Sequence, residues 1–269
     1  MHFMDVHNPY NPPSPYNKMF TSNNGIYIYN NGLINISAED LIHTKGLYDG
    51  EIRFLDEKIH NLFNHLKELN ILNRTMLIIN SDHGEEFMDH NGMGHGTTLY
   101  NELINVPLII HVPPIIDNYK NIKKSVIHSR VRNIDILPTI LDALKISQNT
   151  RIDGVSLLPF ILGEKDSSSP LPSLASVKSQ DTEDILTSIS RDSYKYIHNI
   201  TQKTSELYDR QNDPKERENL IKSMPEIAHK MHEEILSLKL NYYGPSSNGS
   251  TKTSIDKKTI EKLKSLGYF

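Results

Sequence analysis

Hydrophobic positions along this chain change period several times, and each change predicts an element. Ile52, Leu55, Ile59, Leu62, Leu66 and Leu69 recur at spacings of three and four, which places them on one face of a helix. Ser37 and Asp40 form a capping pair ahead of that stripe, so a long amphipathic helix packed along this face is expected, ending at Asn70–Arg74. Met76–Asn80 is apolar until its last residue, as a strand covered on both faces should be. Val106–Val112 (VPLIIHV) reads as a second short strand ahead of Pro113-Pro114. Asn133–Leu144 is a further helix, with Pro138 tolerated only in its first turn or at a kink. Helix, strand, loop, strand and helix in this order place the chain in the α/β class.

The texture shifts beyond about Thr150. A Ser/Pro-rich stretch at Asp166–Ser173 is followed by short strand-like pieces at Leu174–Lys178, Leu186–Arg191, Tyr194–Asn199 and Glu206–Asp209. These predict a small antiparallel sheet. Ile227, Met231, Ile235 and Leu238 within Pro225–Leu240 have helical spacing and would cover one face of it. Asn241–Ser254 is a polar linker, and Ile260–Phe269 is a short amphipathic tail helix docked through Tyr268 and Phe269. Residues 1–149 are therefore expected to form one α/β part, and residues 150–269 a smaller α+β subdomain with its tail. At the other end, Val6–Asn31 is rich in Asn, Pro, Tyr and Ser, which favours an extended loop. Its Tyr10, Tyr16, Phe20, Tyr27 and Tyr29 could stack on a substrate ring, although packing is the better reading.

Composition narrows the chemistry. Lys plus Arg number 29 against 33 for Asp plus Glu, a net charge of −4 in 269 residues, so no global basic field points to nucleic acid or an anionic membrane. Any anion site has to rest on local charge. The chain has no Cys, which excludes a disulfide, a thiolate metal site or a cysteine nucleophile within it. No window approaches the ~20 apolar residues of a membrane-spanning helix, and the N-terminal MHFMDVHNPYNPP has no export-signal pattern.

The richest chemistry follows the first strand. Asp82 and His83 stand together on a turn at its carboxyl end, the end at which open α/β sheets bind ligands. Carboxylate oxygen plus imidazole nitrogen is a workable pair for a divalent cation, though the same turn could serve only to accept backbone hydrogen bonds. His7, His90 and His95 are candidates to hold a sulfate-like or phosphate-like anion or to donate a proton, since an imidazolium donates strong hydrogen bonds to oxyanions. Each could instead be structural. His43, His60, His65, His111 and His128 lie in helical or strand-like contexts and are assigned no function.

At this point the residues carry a family resemblance. Phe3–Tyr10 (FMDVHNPY), Tyr48–Asp56 (YDGEIRFLD), Ser81–Glu85 (SDHGE), Gly94-His95-Gly96 followed by Leu99–Glu102 and Val106–Ile109, Glu206–Asp213 with Glu218-Asn219-Leu220, and Lys262–Tyr268 (KLKSLGY) occur in order. The set resembles the C-terminal portion of a sulfatase of the alkaline-phosphatase-like superfamily. The resemblance implies part of a doubly wound sheet with a smaller C-terminal subdomain of antiparallel sheet plus helix, and a sulfate ester as substrate. It also implies that Asp82 and His83 ligate a divalent metal, that His95 binds a non-bridging sulfate oxygen, and that His7 helps protonate the leaving oxygen.

The departures are as specific as the matches. Sulfatases of this kind use a formylglycine made from Cys or Ser within Cys/Ser-x-Pro-x-Arg, together with a pair of Asp ligands near their first strand. Neither feature occurs here, and Asp153 comes too late in the chain to fill that role. The chain is expected to be a portion of a longer enzyme, with Met1 internal and the formylglycine in the part not represented. Family habit puts calcium first as the metal, while an imidazole ligand suits manganese. A phosphodiesterase, phosphonate hydrolase or phosphotransferase on the same scaffold is the alternative activity, and a non-catalytic remnant of the fold is the alternative of another class.

Overall fold

A computed structural model describes residues 1, 3–22, 25–27, 36–115, 126–147, 150–164, 171–179 and 182–242, with side chains up to residue 238. The chain divides into two compact units. The first comprises Met1–Ile59 and Leu236–Phe269, and the second His60–Ile235.

Helix α1 (Ala38–Glu68), which belongs to the first unit up to Ile59, begins as predicted. The Asp40 amide donates to Ser37 Oγ at 3.1 Å, and the Ser37 hydroxyl donates back to the Asp40 carboxylate at 2.6 Å. In the Ile/Leu stripe of α1, Leu55, Ile59, Leu62 and Leu66 are half-buried, but the fully buried positions lie ahead of them. Thr44, Gly46, Gly50 and Glu51 are its buried residues, whereas Ile52 is 43% exposed. The reason is the loop before it. A Cβ on Gly46 would stand 2.3 Å from the Phe20 carbonyl oxygen, and one on Gly50 would stand 2.6 Å from that of Tyr16. Glycine lets the loop backbone lie on the helix, and the aromatic side chains complete the contact. Tyr10 packs edge-on to Tyr27 and Tyr48, Tyr16 packs on Phe54, and the Asn11 amide donates to Glu51 at 2.7 Å. Tyr10, Tyr16 and Tyr27 are packing residues, as expected, whereas Phe20 is 48% exposed.

In the second unit, β1 (Leu77–Asn80) pairs antiparallel with β4 (Leu108–His111), Leu77 opposite His111 and Asn80 opposite Leu108. Leu77, Ile78 and Ile79 are half-buried rather than covered on both faces, because β4 is their one ladder partner among the described residues. Between these strands lie a short hairpin, β2 (Glu86–Phe87) with β3 (Met93–Gly94), and the one-turn helix α2 (Asn101–Ile104). Beyond them, α3 (Ile136–Ala143) carries Pro138 in its first turn, where the missing N–H costs nothing, and α4 (Leu158–Ile161) follows.

The predicted small sheet is β5 (Ser173–Lys178), β6 (Ile185–Arg191), β7 (Tyr194–Asn199) and β8 (Thr204–Asp209), paired antiparallel in chain order. The register puts Ala175, Ser188 and Ile197 on one face and Ile189, Tyr196 and Leu207 on the other. Helix α5 (Pro225–Tyr242) covers the second face: Arg191 pairs with Glu234, and the Tyr196 hydroxyl meets His232 Nδ1 at 3.1 Å. The first face packs on Leu99, Tyr100 and Ile104, so the segment that carries the candidate chemistry is pressed onto this sheet. The predicted linker from residue 243 onward, the tail helix, Tyr29 and most of the Ser/Pro-rich stretch lie outside the described residues. No described helix is long and apolar enough to cross a membrane.

Candidate functional site

The turn after β1 is built tightly. Ser81 Oγ donates to the His83 carbonyl at 2.6 Å, and Asn133 holds the Ser81 carbonyl at 3.1 Å. The Gly84 amide donates to the Leu103 carbonyl of α2 at 2.8 Å. A Cβ at Gly84 would stand 2.0 Å from the Glu102 carbonyl oxygen, so only glycine allows this approach. His83 Nδ1 faces the Gly84 carbonyl at 2.9 Å. A carbonyl can only accept, so Nδ1 carries a proton, and in the neutral ring the lone pair is on Nε2. That nitrogen lies 3.9 Å from Asp82 Oδ1. A cation holding one oxygen and one nitrogen at ordinary bond lengths keeps them roughly 3–4 Å apart, so the donor pair fits a shared divalent ion. The Gly84 carbonyl is the outer partner that metal-binding imidazoles commonly have.

The hairpin returns the chain to this turn. Glu86, 1% exposed, accepts the amides of His90 and Gly92 at 2.9 and 2.7 Å, which closes the β2–β3 loop around its carboxylate. His95 follows directly on β3, and its ring stacks on that of His83 with centroids 4.0 Å apart. Its Nδ1 meets the buried carboxylate of Glu85 at 2.8 Å. That bond raises the His95 pKa above the ordinary imidazole value despite burial, and the charges of Glu85 and Asp82 add to the effect. The ring is thus biased toward the doubly protonated form, a charge-assisted donor.

The structure therefore brings Asp82, His83 and His95 together. His7 belongs to the first unit, where it is half-buried with Nδ1 on the Asn8 carbonyl at 2.7 Å. Glu85 was given no role of its own, although it closes the Ser81–Glu85 motif that carries part of the family resemblance. His90 departs from its reading as an anion ligand. Its Nδ1 meets Glu102 at 2.6 Å, its Nε2 meets the Glu216 carbonyl at 3.0 Å, and its ring stacks on Tyr100 at 3.7 Å. Both nitrogens are engaged by protein. Glu86, His90 and Glu102 also bring their ligand atoms within 4.8 Å of one another, close enough to hold a metal ion, but the bonds just described already satisfy His90 and one oxygen of each carboxylate.

This geometry has relatives. The family described as Sulfatase matches residues 1–146, and the family described as N-sulphoglucosamine sulphohydrolase, C-terminal, matches residues 89–241. The chain is 29% identical over 190 residues to the Delta 4,5-hexuronate-2-O-sulfatase of Bacteroides thetaiotaomicron, covering 69% of this chain and 38% of that protein. It is similar to the solved structure of a 2-O GAG sulfatase, with a TM-score of 0.67 at 25% identity, covering 77% of this chain and 44% of that one. The phosphonate monoester hydrolase of Agrobacterium radiobacter shares the fold, with a TM-score of 0.71 at 23% identity over 87% of this chain and 55% of that one. The chain spans about two fifths of the length of the curated relatives it matches. A family match running unbroken from the N-terminal loop through the Asp-His turn, the hairpin and α3 leads to one conclusion: the chain belongs to the sulfatase family, with an alkaline-phosphatase-like fold and a small antiparallel C-terminal sheet.

Proposed function

We propose that this chain supplies the cation-ligand turn and the anion-holding histidine of a sulfuric ester hydrolase. Residues 1–149 would be the C-terminal part of the catalytic α/β domain, and residues 150–269 its C-terminal subdomain. Asp82 and His83 would hold a divalent ion, calcium by family habit or manganese by the imidazole ligand. When bound, that ion would stabilise negative charge on the ester's oxygens. His95, charged and oriented through Glu85, donates from Nε2 to a non-bridging sulfate oxygen. His7 gives a proton to the departing alcohol oxygen as the S–O bond breaks. The formylglycine nucleophile is expected in a segment outside this chain.

The observation that carries the reading is the His83–His95 stack, with His83 Nε2 beside Asp82 and His95 Nδ1 on the buried Glu85 carboxylate. In an enzyme that includes the nucleophile segment, His95→Ala should lower turnover of a sulfate ester by roughly a hundredfold or more, as for other donors to transition-state charge. His60→Ala on exposed helix surface should leave it unchanged. Equal turnover in the two variants would remove His95 from the site. Faster turnover of a phosphonate or phosphate ester would move the assignment to the alternative hydrolase, for which the Agrobacterium fold is the precedent. An absence of turnover on either substrate would favour a non-catalytic remnant.

A further inference from the structure

The hairpin that ends at His95 has only two residues in each strand, too few to hold its own position. Two other segments hold it, and they meet at His90. The His90 amide is fixed by Glu86 of β2, its Nδ1 meets Glu102 of α2 at 2.6 Å, and its Nε2 meets the Glu216 carbonyl at 3.0 Å. Glu216 is itself fixed. It lies at a left-handed φ of +53°, and its carboxylate accepts Lys195 Nζ of β7 at 2.8 Å and the Asn101 amide at the start of α2 at 2.9 Å. Tyr100, on which the His90 ring lies flat, donates its hydroxyl to Glu206 of β8 at 3.0 Å. Helix α2 also holds the cation-ligand turn through Leu103 and Gly84.

We infer that His90 is a positioning residue: its ring fastens the hairpin to α2 and to the Glu216 turn, and thereby sets where the His95 ring stands against His83 and Glu85. The value of that placement for holding sulfate rests on the proposed function; the placement itself does not. Outer partners of this kind matter because a donor displaced by a fraction of an ångström loses much of its effect.

The test uses the whole chain, 15N-labelled, with His95 imidazole correlations recorded at a temperature where far-UV circular dichroism shows each protein fully folded. His90→Gln and Glu102→Gln should both shift the His95 ring signals and expose its Glu85-bonded proton to solvent exchange. Met231→Ala, which cuts a core side chain under the sheet, should lower the melting temperature while leaving those signals in place. His95 signals superimposable on wild type in the glutamine variants would overturn the inference, leaving His90 merely structural. If His90→Gln does not fold, Glu102→Gln alone decides. A separate titration of the wild-type chain with sodium sulfate in the presence of calcium that leaves His95 unmoved would sink the proposed function without touching the positioning role.

Discussion

Three histidines within thirteen residues, His83, His90 and His95, end up in different states because different acceptors meet their rings. A carbonyl on Nδ1 sets the His83 tautomer with Nε2 facing outward, a carboxylate on Nδ1 favours a charged His95, and a carboxylate with a carbonyl makes His90 a strut. The sequence showed that His83 and His95 stand in suggestive places. It could not show their states, because the acceptor for His95 is ten residues away and one acceptor for His90 is 126 residues away. Burial pushes the His90 pKa down, but the Glu102 bond, the Glu216 carbonyl and the charges of Glu102 and Glu86 outweigh it and hold the value above ordinary imidazole. A proton held more tightly in the folded state stabilises in full below the unfolded pKa of about 6.5, and this contribution is lost as pH rises through the raised folded value. Urea unfolding at pH 6 and pH 9 should therefore show a larger stability loss with rising pH for wild type than for His90→Gln. Loosening of the His95–Glu85 bond in the variant adds to the difference with the same sign, and identical pH profiles would contradict the account.

Regular elements with strong alternation were legible in the sequence: β7 has its predicted bounds, Tyr194–Asn199, and the other three strands of the small sheet shift by one or two residues at one end. Two kinds of element were not. The α1 stripe told only part of the packing, because Gly46 and Gly50, rather than aliphatic side chains, mark the contact with the loop. The β2–β3 hairpin is too short for a period and turns through left-handed Met88 and Asn91, which no local pattern announces. Lys195 is the sharpest case, since the alternation in YKYIHN would be consistent with a solvated lysine. Its side chain is instead fully buried against Glu216, with burial pulling its pKa down against the charge of its partner. Removing one member of a buried pair leaves an uncompensated charge and costs about 3–5 kcal/mol. Lys195→Met should lower the stability of the second unit by that amount in urea unfolding, and an unchanged midpoint would show that the pair does not tie the sheet to α2.

At the scale of the whole molecule, the sulfatase fold gives the Asp-His turn and the hairpin a common support. Both converge on α2, α2 rests on the small sheet through Leu99, Tyr100 and Ile104, and α5 closes the far face of that sheet. This arrangement accounts for a C-terminal subdomain in which the signature residue Glu206, and Glu216 just outside the signature, contact the segment bearing the candidate site. The most direct test of the central claim, that Asp82, His83 and His95 form the cation-and-anion half of a sulfate ester site, is an NMR titration of the chain with sodium sulfate in the presence of calcium. Wild type should show saturable shifts of the His83 and His95 rings that weaken sharply in Asp82→Ala. His95 shifts no larger than those of exposed His65, with Asp82→Ala behaving as wild type, would contradict it.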